Sequence, residues 1–327
     1  MLRPDVGSDG LAIVFSHAEE KMGGIVNLGV FVADVAFRAT RQPRIGETLI
    51  GSGFALGPGG KGSNQAVAAA RLGASVSFVS SLGDDSFGKM ALELWERESI
   101  RFIGNIDPES FTGAAYIFVN EVTGDNAIIV VPGAGDNVSP EHVESVQSEI
   151  KAADLFMTQL ETPVETARRG LQIAKDAGIR TFLNPAPAAP LDDGIISLCD
   201  YLTPNEAEAA DLTGQSVSTV EDAAHAASLL RKRGAGTVII TLGEKGAYFD
   251  DGTERCHIEP FSFTPVVETT GAGDSFCGAF AHAIITGMDP LQSVRYACAA
   301  AGISVTRKGT APSMPTFDEV ENLLSRR

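Results

Sequence analysis

The sequence predicts an α/β fold in which helices cover both faces of a mostly parallel sheet. Of the 327 residues, 44% are hydrophobic and 20% are charged, which suits one large domain or one domain with a small appendage. Short β-rich runs also alternate with helical patterns along most of the chain. Such alternation is typical of a parallel sheet with crossover helices.

The alternation begins at residue 25. Runs rich in β-branched and aromatic residues predict strands at 25–31, 75–80, 155–160, 180–184, 200–204 and 237–242. Between them, helical patterns predict helices near 62–72, 84–98, 163–177, 205–213, 219–233, 272–286 and 290–305.

Two stretches without a crossover helix interrupt this order, at 32–58 and 111–132. In the second, the extended runs FTGAAYIFVN and GDNAIIVVP flank a turn-prone segment at 123–126. Extended pieces that leave a domain at separate points can pair as a small sheet, so we expect a lid over a ligand site. An edge extension or a dimer contact is the alternative.

Residues 1–22 show no sustained periodicity, and a second methionine, Met22, stands before the first good strand. Whether they are a native extension, a tag or a misassigned start stays open. We expect an N-terminal extension that is a candidate for disorder, followed by one domain over 23–327.

The charge of the chain restricts its partners. The 25 Lys+Arg and 42 Asp+Glu give a net charge of −17, with no dense basic run, so neither nucleic acid nor an anionic membrane is expected as a partner. The early apolar run at 11–15 is too short for a signal-peptide core, and no run approaches the roughly 18 to 20 residues of a membrane span. We therefore expect a cytoplasmic protein. No histidine lies at metal-ligand spacing from the four cysteines, so four reduced thiols are expected at Cys199, Cys256, Cys277 and Cys298.

The densest glycine cluster, Gly57-Pro-Gly-Gly-Lys-Gly62, precedes an alanine-rich helical pattern. The free N–H groups of a helix N-terminus suit an anion or a hydroxylated ligand. The cluster formally fits GxGxxG, but the residues before it predict a poor strand and Pro58 falls in the expected turn, so a dinucleotide site has weak support. A P-loop is excluded because Gly62, rather than Ser or Thr, follows Lys61. A tight turn without a ligand is the alternative.

A second cluster, Glu268-Thr-Thr-Gly-Ala-Gly-Asp-Ser-Phe276, opens a helical pattern. Its glycines, Gly271 and Gly273, allow successive amides to point at one spot, which is the geometry of an anion hole. Asp274 then falls in the first helical turn, beside whatever anion the amides hold. A capping aspartate with glycines that serve only the turn is the alternative, and the residues alone leave both open.

Polar residues also follow three predicted strands, at 159–161, Asn184 and Asn205. Ligands of open α/β sheets bind outside the carboxyl ends of strands, so these positions are candidate site residues. Asn205 and Glu208 lie three apart at a helix start and could hold hydrated magnesium or phosphate, or simply cap the helix. The segment 241–246 leaves room for a nucleotide, or is a hairpin turn.

Five motifs in order give the sequence a resemblance to the ribokinase (PfkB) family of carbohydrate kinases. They are GGKGSNQAVAAARLG at 59–73, LNPAPA at 183–188, TPNEAE at 203–208, ETTGAGDSFCGAF at 268–280 and TRKGTAPSMP at 306–315. The match runs from about residue 25 to the C-terminus. The resemblance implies a Rossmann-like three-layer α/β/α ribokinase-like fold with a small β-sheet lid, and phosphoryl transfer from ATP to a sugar hydroxyl.

The resemblance also implies residue roles. Asp274 would be the base that accepts the hydroxyl proton, with an anion hole formed by the amides of Gly271, Ala272, Gly273 and Asp274. Besides Asp274, the sugar contacts would be Asp34, Gly60, Lys61, Gly62, Asn64 and Glu161. The ATP contacts would be Asn205, Thr241, Gly243, Gly246, Gly273 and Cys298.

Two metal sites follow from the same resemblance. Mg²⁺ would accompany ATP near Asn205 and Glu208, through phosphate or water. K⁺ would lie in a loop formed by Glu268, Thr270, Ser304, Arg307, Gly309 and Ser313. The expected partners are ATP and a small sugar.

The lid is expected to form a homodimer through an exposed apolar face, because Ile117, Val119, Ile128 and Val130 alternate toward one side of it.

Two positions depart from the family pattern. Val32 stands where ribose-binding members have the first residue of Asn-x-Asp, and Glu268 stands where they have aspartate. D-ribose, phosphorylated at its 5-hydroxyl, is the leading substrate, and the alternatives are another pentose, a ketohexose or a nucleoside. Outside this class, a nicotinamide-dependent oxidoreductase would rest on GxGxxG alone. A non-catalytic sugar-binding protein is disfavoured because Asp274 is intact.

Overall fold

The computed structural model describes residues 13–14 and 24–326. Its strands are β1 Ile13–Val14, β2 Ile25–Leu28, β3 Val32–Ala39, β4 Gly53–Gly59, β5 Val76–Gly83, β6 Arg101–Asp107, β7 Thr112–Asn120, β8 Asn126–Gly133, β9 Leu155–Thr158, β10 Arg180–Leu183, β11 Tyr201–Leu202, β12 Thr237–Thr241, β13 Ala247–Asp250 and β14 Arg255–Ile258. Its α-helices are α1 Lys61–Arg71, α2 Ser86–Arg97, α3 Pro140–Ser145, α4 Gln147–Ala152, α5 Val164–Asp176, α6 Asp193–Ile196, α7 Glu206–Thr213, α8 Val220–Lys232, α9 Ala272–Ile285, α10 Pro290–Ser304 and α11 Phe317–Leu324. Short 3₁₀ turns lie at Ala134–Asn137, Gly243–Lys245 and Ala311–Ser313.

The main sheet has the strand order β1-β6-β5-β2-β9-β10-β11-β12-β13-β14. The strands from β6 to β12 in this order are parallel. β1 at one edge, and β13 and β14 at the other end, pair antiparallel with their neighbours. Helices cover both faces, and a separate apolar cluster fills each side, one around Trp95 and Phe280 and the other around Phe156 and Ile240. The predicted three-layer α/β/α fold is therefore confirmed.

A second, smaller sheet has the order β4-β3-β7-β8 and confirms that 32–58 and 111–132 pair with each other. The turn between β7 and β8 is closed by Asn120, whose Oδ1 accepts the N–H groups of Val122 and Thr123. Gly124 in this turn has φ of +79°, a conformation that favours glycine. We call this sheet the lid.

Pro58 and several elements differ from the predictions. Pro58 lies in β4 rather than in a turn, and it is tolerated there because β4 is an edge strand. The sequence analysis did not predict β6, β13, β14, α3, α4, α6 and α11. In β6, Gly104 breaks the apolar pattern, and it passes so close to β5 that a Cβ there would overlap the carbonyl oxygen of Ser80.

The predicted extension at 1–22 lies outside the described residues, apart from β1, which pairs with Gly104 and Ile103 of β6. No helix in the described part of the chain has the length and apolar composition to cross a membrane. All four cysteines fall within the described residues and are free, and three of them are buried, as predicted.

Candidate active site

The glycine cluster places the N-terminus of α1 beside the end of β9. Gly60 caps α1 with φ of +88°, and a Cβ there would lie 2.6 Å from the carbonyl oxygen of Val30, so only glycine fits. The backbone N–H of Lys61, the first residue of α1, donates to Oε2 of Glu161 over 2.7 Å. The helix N-terminus thus holds a carboxylate, as its free N–H groups and dipole favour.

The second glycine cluster begins α9 and places Asp274 in its first turn. Gly271 caps α9 with φ of +84°, and Asp274 is buried. Asn64 Nδ2 donates to Asp274 Oδ2 over 2.9 Å, and Gln65 Nε2 donates to Oδ1 over 3.1 Å. Burial raises the pKa of Asp274, while the Lys61 ammonium and these two hydrogen bonds act in the opposite direction.

A cleft opens between these two helix N-termini and the carboxyl ends of the central strands. It is lined by Lys61, Asn184, Ala186, Thr203, Asn205, Glu208, Thr241, Gly271, Gly273, Asp274 and Cys277. A Cβ at Gly273 would meet nothing within 4 Å, so this glycine leaves open space beside its amide. The structure therefore brings the candidate base, the candidate anion hole and the strand-end polar residues to one place.

The lid contributes Asp34, which is largely buried under the sheet. Its carboxylate lies over Gly59, where a Cβ would come within 2.4 Å of both carboxylate oxygens. Burial, with the charges of Asp274 and Glu268, raises the pKa of Asp34 to about 6. Asp34 thus lies near enough to these two carboxylates to interact with them, although neither it nor any other lid residue is among those that line the cleft. That the lid covers the site stays a prediction.

Val32 lies two residues before Asp34 on β3 and therefore projects from the same face of the lid. It is 3% exposed and packs with Val30, Ala115 and Ile117. The residues that pair with it across the sheet are Gly59 and Gly113, which carry no side chain. The wall of the lid is therefore apolar at this point, although Val32 is not among the residues that line the cleft.

Carboxylates surround the ammonium of Lys61. Burial raises the pKa of Glu161 to about 7, although the Lys61 charge and its backbone hydrogen bond lower it. Burial by itself lowers the pKa of Lys61, but Asp274, Glu161 and Glu208 outweigh that effect and raise it overall. Lys61 therefore stays charged, and the carboxylates around it can bind cationic or hydroxyl-bearing groups.

Asn205 and Glu208 form a reciprocal cap at the start of α7. Asn205 Oδ1 accepts the N–H of Glu208 over 2.8 Å, and Glu208 Oε2 accepts the N–H of Asn205 over 2.8 Å. Both line the cleft, and Glu208 is 7% exposed, with its pKa raised by burial. The pair therefore caps a helix and also forms part of the cleft wall, and its role toward magnesium or phosphate stays a prediction. The described residues contain no cluster of three or more His, Cys, Asp or Glu that could hold a metal ion.

The proposed cation loop is formed by two segments that meet behind the anion hole. Glu268 Oε2 accepts the N–H of Gly309 over 2.9 Å, and the N–H of Glu268 donates to Val305 O over 3.2 Å. Ser304 and Ser313 are buried, and their hydroxyls donate to nearby carbonyl oxygens. Arg307 points its guanidinium at Glu319. The structure thus brings 268 and 309 together, and Thr270 lies exposed beside them.

Other predicted residues lie around rather than in the cleft. Gly62 packs against Gly29 of the β2–β3 connection, with a Cβ at Gly62 only 2.8 Å from that Cα. Gly243 and Gly246 lie in the tight turn between β12 and β13, so 241–246 is a hairpin connection whose first residue, Thr241, reaches the cleft. Cys298 is buried in α10.

The sequence analysis missed Asn27 and Gln65, although both are completely buried behind the N-terminus of α1. Gln65 contacts Asp274 directly, and Asn27 Nδ2 donates to Gly62 O over 2.9 Å. The available signal was a run of polar residues, SNQ at 63–65, at the start of an otherwise alanine-rich buried helix.

Comparison with known proteins agrees with this geometry. Residues 23–317 match the sequence profile described as pfkB family carbohydrate kinase. A ribokinase of Haemophilus influenzae is 40% identical over 299 residues, which cover 91% of this chain and 97% of that protein. A deoxyribokinase of Salmonella typhi is 36% identical, over 92% of this chain and 98% of that protein.

A solved structure extends the comparison to three dimensions. Arabidopsis thaliana ribokinase, complexed with ribose and ATP, superimposes with a TM-score of 0.86 at 31% identity, covering 93% of this chain and 99% of that one. The chain belongs to the pfkB family of carbohydrate kinases and is an ATP-dependent sugar kinase.

Proposed function

We propose that this kinase transfers the γ-phosphoryl group of ATP to the 5-hydroxyl of D-ribose. The observation that carries the proposal is Asp274, a buried carboxylate at the N-terminus of α9 that lines a cleft next to free helix N–H groups. Ribokinases are among the most similar relatives, and the Arabidopsis enzyme is described with ribose and ATP.

In the proposed reaction, Asp274 accepts the proton of the 5-hydroxyl while that oxygen attacks the γ-phosphorus of ATP. A new O–P bond forms, the bond between the γ-phosphorus and the β–γ bridging oxygen breaks, and ADP leaves with that electron pair. The amides of Gly271, Gly273 and Asp274 would face the negative charge on the transferred phosphoryl group, whereas the N–H of Ala272, also predicted to take part, donates to Thr269 O over 3.2 Å. Such preorganised donors, together with positioning, supply most of the catalysis in phosphoryl transfer.

The sugar would be held by the lid and by α1. Asp34, Asn64 and Glu161 offer polar groups to its hydroxyls, and the N-terminal turn from Gly60 to Lys61 supplies the floor. ATP would lie along Thr241 to Gly246 and toward Cys298. Closure of the lid would exclude water from the reacting groups.

Mg²⁺ would enter with ATP. The oxygen atoms of Asn205 and Glu208 are hard donors that suit this ion, but both are engaged in the helix cap, so contact through water or phosphate fits the residues better than direct coordination. When bound, the ion would neutralise charge on the phosphates.

A monovalent cation would lie between the loops that Glu268 and Gly309 join. The carboxylate of Glu268 and the carbonyl oxygens of these loops are ligands that suit K⁺. We also propose a homodimer formed through the lid and a cytoplasmic location, the latter supported by four free thiols.

Val32 favours a second candidate substrate, 2-deoxy-D-ribose. A sugar hydroxyl that faces this apolar wall finds no partner, because Gly59 and Gly113 flank Val32 and the next residue on its face is Asp34. An unmade hydrogen bond in a closed site lowers kcat/KM by roughly tenfold to a hundredfold. The Salmonella deoxyribokinase is named for a sugar that lacks one hydroxyl, so its substrate would avoid this loss here.

A sugar panel tests the proposed function. The purified enzyme is incubated with Mg²⁺-ATP and, separately, D-ribose, 2-deoxy-D-ribose, 3-deoxy-D-ribose, D-fructose and adenosine, and ADP release is followed. Turnover of D-ribose with the phosphate at the 5-position supports the proposal. Turnover restricted to the ketohexose or the nucleoside contradicts it.

The substitution Val32→Asn separates the two pentoses. We expect kcat/KM to rise for D-ribose and to fall for 2-deoxy-D-ribose, changing their ratio by roughly tenfold or more. Val35→Asn is the matched control, because residue 35 lies on the same strand and on its opposite face. A wild-type enzyme that strongly prefers D-ribose and gains nothing from asparagine shows that Val32 does not redirect specificity.

A further inference from the structure

A chain of buried side-chain amides connects the candidate base to the centre of the main sheet. Gln159 Nε2 donates to Asn27 Oδ1 over 3.1 Å and to Gln65 Oε1 over 2.6 Å. Gln65 Nε2 in turn donates to Asp274 Oδ1 and to Asn184 Oδ1, each over 3.1 Å. Gln65 thus stands between Gln159 and the carboxylate of Asp274.

The hydrogen-bond pattern fixes which way each amide points. Asn27 donates to Gly62 O over 2.9 Å, so its oxygen must face Gln159. Asn184 donates to Thr203 O over 2.8 Å, so its oxygen must face Gln65. Because Gln65 also accepts from Gln159, its own NH₂ group is left to face Asp274. A flipped Gln65 amide would set two donors against each other and an oxygen against the carboxylate.

Burying this many polar groups beside the sheet is costly unless each has a partner. Asn27 and Gln65 are completely buried, and Gln159 is 1% exposed, with its Oε1 the one polar side-chain atom of these three that has no hydrogen-bond partner among the described residues. Apolar residues would serve the packing of α1 against the sheet equally well, so packing alone does not account for an amide at position 65.

Asn64 and Gln65, neighbours in the first turn of α1, differ in whether they can also contact the substrate. Both donate to Asp274, but Asn64 Oδ1 is a buried atom with no hydrogen-bond partner among the described residues. That oxygen is free to accept from a sugar hydroxyl. Both polar atoms of the Gln65 side chain are already engaged within the protein, so Gln65 has none left for substrate.

From these contacts we infer that Gln65 is a positioning residue, which orients the carboxylate of Asp274 for proton acceptance without itself touching the sugar or ATP. The inference rests on the proposed role of Asp274 as the base. In this inference, the hydrogen bonds of Asn27, Gln159 and Asn184 fix the direction of the Gln65 amide.

Several titratable groups interact with Asp274, so the pH readout must be taken relative to the wild type. Against the effect of burial, the charge of Lys61 on α1 lowers the pKa of Asp274. Alongside burial, Asp274 in turn raises the pKa of Asp34 in the lid, Glu161 at the β9 end, Glu208 on α7 and the thiol of Cys277 on α9. A substitution at position 65 leaves all of these groups in place.

The test substitutes Gln65→Met, which keeps the length of the side chain and removes its donor. Gln172→Met is the matched control, at a half-buried glutamine of α5 whose amide donates to Asp176 away from the cleft. Loss of a hydrogen bond to a charged group predicts a fall in kcat of about tenfold to a hundredfold, with KM for the sugar changed little. The acid limb of the kcat–pH profile should move to higher pH, because a carboxylate with one donor fewer holds its proton more tightly. A merely structural role would lower thermal stability and leave both kcat per folded enzyme and the profile unchanged.

Asn64→Leu supplies a contrast in the same turn, since it should raise KM for the sugar as well as lower kcat. If wild-type enzyme turns over no sugar, the proposed function fails. If the wild type is active but Gln65→Met keeps its kcat and its pH profile, the inference about Gln65 is wrong.

A crystal structure of the wild-type enzyme with the sugar and a non-hydrolysable ATP analogue covers the case in which Gln65→Met does not fold. We expect Gln65 Nε2 to remain within about 3.2 Å of Asp274 Oδ1, a normal hydrogen-bond distance. Separation of the two, or a direct contact between Gln65 and the sugar, would overturn the inference.

Discussion

The backbone N–H of Lys61 donates to Oε2 of Glu161 over 2.7 Å, so a carboxylate from the end of β9 closes the N-terminus of α1. Burial nevertheless raises the pKa of Glu161 to about 7. The enzyme therefore holds a carboxyl group with a raised pKa at the position proposed to contact the sugar. Its free energy of unfolding should depend on pH as a result.

The first prediction concerns stability against pH in Glu161→Gln. An ordinary glutamate in the unfolded chain titrates near pH 4.3, whereas the folded carboxyl holds its proton to about pH 7. The folded state binds more protons between these values, so the contribution of Glu161 to the free energy of unfolding falls as the pH rises through this range. Glu161→Gln removes the fall and should be more stable than wild type at pH 8, by on the order of 2 to 3 kcal/mol, and equally stable near pH 4.5.

Urea unfolding at pH 4.5 and pH 8 measures this difference. Glu165→Gln, at an exposed position of α5, is the control and should change stability little at either pH. We also expect kcat/KM for the sugar to fall by about tenfold or more in Glu161→Gln, because the charged acceptor is lost. An equal change in stability at both pH values would show that Glu161 titrates normally.

The second prediction concerns monovalent cations. A potassium ion held by the loops of Glu268 and Gly309 would shape the anion hole at Gly271 without touching the substrate. Replacing potassium chloride by tetramethylammonium chloride at equal ionic strength should therefore depress kcat more than it changes KM. Glu268→Gln should weaken this dependence. Equal rates in both salts would refute a cation site.

The third prediction concerns the lid as a dimer interface. Ile117 pairs with Ile128, and Val119 and Val130 lie on the same face, as the sequence predicts. The opposite face is also apolar, with Ile129 64% exposed and the ring of Phe37 in contact with those of Phe54 and Tyr116. Exposed apolar faces of this kind mark interfaces, and we expect a homodimer that uses the face of Ile128.

Light scattering at micromolar concentration tests the assembly. The wild type should be a dimer, Ile128→Glu should dissociate it, and the matched change on the other face, Ile129→Glu, should leave it intact. A strictly monomeric wild type contradicts the interface, and dissociation by Ile129→Glu alone would assign it to the opposite face.

The central features of the site were predictable because they depend on residues close in sequence. Gly60 and Lys61 start one helix, and Gly271 and Asp274 start another, so their chemistry follows from local turn geometry. The alternation of strands and helices predicted the sheet in the same way.

Contacts that depend on the order of strands in the sheet could not be predicted from local sequence patterns. Gln65 and Gln159 are 94 residues apart, and Gln159 and Asn27 are 132 apart. They meet because β2 lies next to β9 in the sheet and α1 packs across both ends. The hairpin β13–β14 was missed for another reason: it is a short edge element whose outer strand is only half-buried, so it lacks a continuous apolar run.

The most direct test of the account is the activity of Asp274→Asn. An amide keeps the volume of the carboxylate, but it can accept a hydrogen bond from only one of Asn64 and Gln65, and it cannot take the proton of the sugar hydroxyl. We measure kcat by ADP release with D-ribose and Mg²⁺-ATP, and sugar affinity by calorimetry, with Asp211→Asn on the exposed side of α7 as the control. The account predicts a kcat lower by roughly 10²- to 10⁴-fold with sugar affinity little changed. A variant that retains more than about a tenth of the wild-type kcat would contradict the role of Asp274 as the base.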